Sequence, residues 1–303
     1  MKNRIYAILL LLCMILSGCA APPAEQPPAQ QPPAQEAPVQ QSETPQQPAA
    51  PSDGQPLATV YNIDVGQGDS TLIDVGEYEI LIDGGERKAG DTVVDFLSNK
   101  VDGKLELVVA THPDADHIGG LIDAINAYPP AEIIDSGKEH TTKTYKEYLM
   151  AAESSGALFT EDADRTIPIA DNVTFAVIEC ADNESENNNN SVVTCLNVGS
   201  QKLLFVGDME TPIEQEYINN FSDVDYLKVG HHGSHTASSS IFLDKIKPEY
   251  AVISCGLDNR YGHPHQETLD TLTNQNVQTY RTDQQGTINT KCFSDHLELQ
   301  SER

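Results

Sequence analysis

From about residue 57 onward, short apolar runs recur at regular intervals, and glycine or polar clusters separate them. Thr59 to Val65, Ser70 to Val75 and Tyr78 to Ile82 read as three short strands, punctuated by Gly66, Gly68, Gly76 and Gly84. Thr92 to Leu97 has helical spacing. Leu105 to Ala110 is apolar apart from Glu106 and reads as a buried strand. A helical pattern begins near Ile118 and continues from Leu121 to Tyr128, where Pro129-Pro130 stops it. Ile133-Ile134 begins another strand, and Tyr145 to Glu153 is helical. Val173 to Ile178 and Ser191 to Val198 are apolar strands flanking the polar loop Asp182 to Asn190. Lys202 to Val206 is a strand that runs into Gly207-Asp208. Helices and strands then alternate: helix Ile213 to Asn220, strand Tyr226 to Val229, helix Ser240 to Lys245, strand Tyr250 to Ser254, helix Glu267 to Thr273 and strand Val277 to Arg281. The pattern supports an α/β or α+β class, and its two similar halves fit two sheets packed face to face with helices outside.

The first 56 residues follow a different rule. Lys2 and Arg4 precede an apolar stretch, Ile5 to Ile15, too short for a typical spanning helix, so 1–19 reads as a targeting segment. It ends in Leu16-Ser17-Gly18-Cys19, which resembles the bacterial lipoprotein processing box. The resemblance implies lipid on Cys19 and a place on the outer face of the cytoplasmic membrane. Residues 20–56 are almost entirely Pro, Gln, Ala, Glu and Ser, with repeated Pro-Pro pairs and no apolar period. They read as an extended spacer without a core. The remaining 57–303 suits one large domain.

Charge narrows the choice of partner. The chain carries −28, and 42 acidic against 16 basic residues from Leu57 on leave the domain near −26. Loose, non-specific nucleic-acid binding depends on Lys and Arg neutralising phosphates, so this balance argues against it, though not against a nuclease with a local basic groove. With Cys13 in the leader and Cys19 lipidated, Cys180, Cys195, Cys255 and Cys292 remain. Two of these lie in strand-like segments, and no CxxC pair exists, so buried free thiols are expected.

The candidate chemistry lies between the strand 105–110 and the helix that follows it. His112, Asp114, Asp116 and His117 are four metal-ligating side chains in six residues. On an extended loop, positions 112, 114 and 116 point to one side, and His117 turns back as the helix starts. Downstream, Asp208 ends an apolar strand behind Gly207. It is placed either to bridge two ions, one oxygen to each, or to cap the next helix. His231-His232 close the strand 226–229, where neighbours point to opposite faces. One of the pair therefore ligates, and the other contacts substrate or acts as an acid. Lys228 is either a positive charge beside a phosphate or an edge-strand lysine. Asp64 and Asp69 flank Gly66-Gln67-Gly68 at the rim of a cleft, which is either a plain tight turn or one that faces an Asp to the metal. His140, His235 and His296 read as surface residues.

His112-x-Asp114-x-Asp116-His117 resembles the metal-binding signature of the metallo-β-lactamase fold hydrolases. Asp114 stands where the usual form has His. In this it is similar to the metallo-hydrolase domain of the competence protein ComEC and to phosphorylcholine esterases. Asp64 to Ser70, Leu81 to Gly85, Leu204 to Asp208, Leu227 to Ser234 and Tyr261 to His265 follow the family's order.

The resemblance implies an αββα four-layer sandwich and a two-metal hydrolase whose nucleophile is a metal-bound water. One ion is expected on Asp116, His117, Asp208 and a His of the 231/232 pair, with His231 the assigned ligand. The other is expected on His112, Asp114 and Asp208, and is under-coordinated. Asp116, His232, His263 and Lys228 form the candidate catalytic set, with His265 a weaker candidate. Asp83 is expected to orient the metal loop by hydrogen bonds. Asn187 to Asn190 lie where other members place a metal-binding His. The cofactors implied are two divalent ions, Zn²⁺ or Mn²⁺, the added carboxylate favouring the harder ion. The substrate implied is a phosphoester, in a small molecule or nucleic acid. The alternatives are a carbon-centred ester, amide or lactone, or binding without turnover.

Overall fold

The computed structural model describes residues 54–178, 180–181 and 184–303. The leader at 1–19 with Cys19, and all but the end of the 20–56 linker, lie outside the described residues.

Two sheets form the middle of the fold. The first contains β1 (Ala58–Asn62), β2 (Thr71–Asp74), β3 (Glu79–Ile82), β4 (Leu105–Ala110), β5 (Pro130–Asp135) and β6 (Leu158–Glu161). The second contains β7 (Arg165–Ala170), β8 (Val173–Ile178), β9 (Val193–Val198), β10 (Gln201–Phe205), β11 (Tyr226–Lys228), β12 (Tyr250–Ile253) and β13 (Gln278–Arg281). The chain then returns to the first sheet as β14 (Ile288–Cys292) and β15 (Leu297–Ser301), giving the order β15-β14-β1-β2-β3-β4-β5-β6. The second sheet runs β13-β12-β11-β10-β9-β8-β7.

Each strand's alternation explains the layering. In β1, Ala58 and Val60 face the other sheet, and Tyr61 turns to the helices. Val60, Ile73, Ile82 and Val109 of the first sheet pack against Phe175, Leu196, Phe205 and Val252 of the second. Outside the first sheet lie α1 (Gly90–Leu97), α2 (Ala115–Ile118), α3 (Leu121–Ala127) and α4 (Lys143–Ser155). They bury Val93, Leu97, Ile118, Ile125 and Tyr148 against Leu81 and Val108. Helices α5 (Thr211–Glu216), α6 (Ser240–Ile246) and α7 (Gln266–Asn274) cover the second sheet through Ile213, Phe242, Leu243 and Leu272. The short α8 (Thr282–Gln285) links β13 to β14. Three apolar layers between four structural ones make the expected αββα sandwich. Among the described residues, no helix is long and apolar enough to cross a membrane. Cys180, Cys195, Cys255 and Cys292 are buried free thiols.

Two expectations need correction. The stretch after β4 is not extended as far as Asp116. Asp114 has extended backbone and precedes α2, which holds Asp116 and His117. A helical turn, not strand alternation, therefore sets the angle between these ligands. The second concerns His231-His232. Strand β11 ends at Lys228, and both histidines adopt left-handed backbone, φ 48° and 53°. Strand alternation does not apply to them, and both rings turn to the same side.

Candidate metal centre

The ends of β3, β4, β10 and β11 meet at one edge of the sandwich, and the site is built on the loops leaving them. Asp83 at the end of β3 accepts from the Thr111 backbone N–H (2.9 Å) and the Thr111 hydroxyl (2.7 Å), and its Oδ2 lies 2.7 Å from His117 Nδ1. It thus holds the metal loop and the His117 ring together, as the sequence suggested. Glycine permits the close approach: a Cβ on Gly120 would strike the Gly84 carbonyl, and one on Gly68 would strike that of Asp116.

Asp208 is the centre of the cluster. Its Oδ2 lies 3.3 Å from His117 Nε2, 3.5 Å from His232 Nε2, 3.8 Å from His231 Nε2 and 3.9 Å from His112 Nε2. Asp116 Oδ2 lies 3.5 Å from His232 Nε2, and Asp114 Oδ2 lies 3.9 Å from His112 Nε2. His112, His117, Asp208 and His232 are buried. Within this cluster His112 Nε2, His117 Nε2, His232 Nε2 and Asp208 Oδ1 are buried with no hydrogen-bond partner. A buried polar atom without a partner is costly, and four such atoms facing one another fit divalent cations as the missing partners.

The donors fall into four overlapping groups among the described residues. Asp116, His117 and His232 lie within ligating reach of one another, and so do His112, His117 and Asp208, then Asp69, Asp208 and His232, and behind them Asp69, Asp83 and His117. Asp208 touches both sides, which suits it to bridge. His232 is the member of the adjacent pair that joins a donor group among the described residues, the place expected of His231. His231 is partly exposed and approaches Asp208 from the solvent side, with its Nδ1 3.2 Å from Glu210 Oε1.

Lys228 does not reach the cleft. It is buried, donates to Asp69 Oδ2 at 2.7 Å and to the Val229 carbonyl at 3.2 Å, and cannot meet a substrate phosphate. The reason is Asp69, also buried, whose other oxygen lies 3.2 Å from His232 Nδ1. The Ser254 carbonyl lies 3.1 Å from the same nitrogen. Asp69 is therefore no simple turn residue: it and Lys228 fix the His232 ring from behind. Glu210 was also missed from sequence. It sits between the long-range partners His231 and Thr236, which no local motif relates.

The Asn-rich loop stands on the opposite side. Asn187 Nδ2 donates to Asp114 Oδ1 at 2.7 Å, and Asn190 braces the loop on the Glu184 and Glu186 carbonyls. His263 is buried beside the cluster, 5.4 Å from His231 and 6.0 Å from His232 between ring centroids, with its Nδ1 unpartnered. His265 pairs instead with exposed His235, Nδ1 to Nδ1 at 2.8 Å. His296 is exposed, and His140 lies against Tyr145.

The electrostatics favour positive charge at the centre. Burial alone would raise Asp208, but His232, His117 and His112 hold its carboxyl well below the usual range. Burial opposes charge on His232, yet Asp208 and Asp69 lift it to about 10. His117 is raised well above its ordinary value against burial, by Asp208 and Asp83. Burial opposes ionisation of Asp69 too, but Lys228 and His232 bring it down to about 2. By contrast, burial and the neighbouring His117 push His112 down. Such a cluster is suited to cations, and protons would leave as metal enters.

Known proteins agree with this geometry. Residues 63–257 match the Metallo-beta-lactamase superfamily. ComE operon protein 3 of Bacillus subtilis is 30% identical over 262 residues, covering 80% of this chain and 33% of that protein. Recombination protein 2 of Haemophilus influenzae is 28% identical over 256 residues, covering 82% and 31%. The chain thus spans about a third of the length of these curated relatives. Among solved structures, the metallo-beta-lactamase fold protein YhfI from Bacillus subtilis superposes with a TM-score of 0.50 at 11% identity, over 80% of this chain and all of that one. With its four layers, its donor cluster and a superfamily match across most of the domain, this chain belongs to the metallo-beta-lactamase superfamily, in the company of the competence proteins.

Proposed function

We propose that the chain is a two-metal phosphodiesterase. Its superfamily is one of metal-dependent hydrolases; the bond it cuts is our inference. One observation carries it: three buried, unpartnered imidazole nitrogens converge on Asp208, whose own Oδ1 is likewise buried and unpartnered, with Asp114 and Asp116 on either side. Carboxylate in place of imidazole at Asp114 suits hard, oxygen-seeking ions, and such pairs are used to clamp phosphoryl oxygens. The resemblance of this variant to ComEC and the phosphorylcholine esterases points the same way.

Divalent ions there would supply Lewis-acid stabilisation of the phosphoryl group and an acidified water. The chain's own residues do the rest. Asp116, His117, His232 and Asp208 would hold one ion, and His112, Asp114 and Asp208 the other. Asp83 and Asp69 take the Nδ1 sides of His117 and His232, and so present both Nε2 atoms to the cluster. Burial and the neighbouring imidazoles push His263 down to about 4, so at neutral pH it is uncharged and offers substrate a hydrogen bond. Loaded with Mn²⁺ or Zn²⁺, the protein should hydrolyse bis-p-nitrophenyl phosphate faster than a β-lactam or a lactone, and Asp208→Ala should abolish the activity. Turnover of the lactone or β-lactam without turnover of the phosphodiester would contradict this reading.

The site of action belongs to the same proposal. Lipid on Cys19 would tether the domain outside the cytoplasmic membrane, with 20–56 as the spacer. The support is Leu16-Ser17-Gly18-Cys19 behind a short apolar run. Cys19→Ala should move the protein from the detergent phase to the aqueous phase on detergent partitioning; unchanged partitioning counts against the lipid.

A further inference from the structure

A cavity of about 670 Å³ lies between the turn at Gln67 and the loop that follows β12, the loop that also carries His263. Its size is that of a small-molecule site. The loop joins it to the donor cluster through a ladder of rings. His232 and His263 lie 6.0 Å apart, His263 and Tyr261 stack at 5.5 Å with 20° between planes, and the Arg260 guanidinium lies over Tyr261 at 4.7 Å. Leu257 and Tyr261, two of the few exposed large apolar side chains, are both on this loop and both line the cavity.

The charges in the cavity differ in their availability. Arg303 is paired with Asp64, and Lys88 with Glu86. Arg260 forms no ion pair among the described residues; its neighbour is the Tyr261 ring and hydroxyl. In a domain near −26, an arginine left for a ring on the loop that carries His263 is available to a ligand. The cavity lining is nevertheless no basic groove, since Asp64, Glu86, Asp258 and Asp283 also contribute to it. It suits a ligand with a planar group and little negative charge, and it disfavours a polyanion.

We propose that Arg260, Tyr261 and Leu257 form a recognition pocket for a planar aromatic group attached to the scissile phosphate, so that the substrate is a small phosphodiester of dinucleotide size. This rests on the phosphodiesterase reading above. With the phosphate at the donor cluster, the aromatic group prolongs the ladder that begins at His232 and His263. Arg260 supplies a cation that both stacks on the planar group and offsets the charge of the single phosphate.

The test compares a dinucleoside monophosphate, glycerophosphocholine and a single-stranded oligonucleotide, in hydrolysis by the metal-loaded protein. Binding of the dinucleoside monophosphate is followed by calorimetry on protein stripped of metal. The dinucleotide should be preferred over both other substrates. Arg260→Ala and Tyr261→Ala should each lower the ratio of kcat/KM for dinucleotide over glycerophosphocholine about tenfold, mainly through KM, the size of one lost stacking partner. Tyr261→Phe should restore the ratio. The pocket is refuted if the oligonucleotide is the best substrate, or if the ratio does not respond to either alanine. If no phosphodiester is cut, yet the dinucleotide binds and Arg260→Ala weakens it about tenfold, the pocket stands and the phosphodiesterase reading falls. Absence of both binding and turnover refutes the pocket.

Discussion

The two sides of Asp208 are supported by different chemistry. On one side, His117 and His232 each turn Nδ1 to a buried carboxylate, Asp83 at 2.7 Å and Asp69 at 3.2 Å. On the other, among the described residues His112 Nδ1 meets only hydroxyls, Thr111 at 3.1 Å and Ser191 at 3.4 Å, and Asp114 is held by the Asn187 amide. Asp114 is also 36% exposed at its side chain, against 5% for Asp208. A carboxylate behind an imidazole raises its basicity and fixes its ring, whereas a hydroxyl does so weakly. On the proposed two-ion reading, the comparison teaches that one carboxylate can serve two ions of unequal affinity. On that reading the deep side retains its ion, and the shallow side stays open to water and substrate.

The largest expected effect comes from the support of the deep side. Lys228→Met leaves the buried Asp69 with His232 as its remaining cationic partner, and breaking a buried pair costs up to about 3–5 kcal/mol. Urea unfolding of the stripped protein should show this loss. If stability is unchanged, the Asp69–Lys228 pair does not support His232, and the contrast between the sides weakens.

A smaller effect is expected on the shallow side. Asn187→Ala removes one hydrogen bond from Asp114, worth about 0.5–1.5 kcal/mol, so affinity for the second ion should fall by less than about tenfold. Calorimetric titration with Mn²⁺ should find the first ion unaffected. Loss of the first ion instead would reverse the assignment of the two sides.

The sequence carried the sandwich because strand ends, helices and glycine pairs each leave a local trace. Leu105–Ala110 shows its whole length as an apolar run, and the β4 strand has those bounds. β6 and β7 do not show, since their side chains are exposed or only half-buried, and the apolar face of β7 is limited to Ile167 and Ile169 around Pro168. The ligand residues were legible from their spacing, but their supports were not. Asp69 and Lys228 are 159 residues apart, and only the fold joins them. Both His231 and His232 reach Asp208 because of left-handed backbone at two successive non-glycine residues, which no strand pattern announces.

Metal occupancy at graded free Zn²⁺ or Mn²⁺, measured by elemental analysis on the wild type, Asp116→Ala and Asp114→Ala, tests the two-sided centre most directly. The account expects two ions in the wild type, one bound well before the other. It expects Asp116→Ala to lose the tighter ion and Asp114→Ala to keep it while losing the weaker. Two ions of equal affinity, a single ion at saturation, or the same loss in both variants would contradict it.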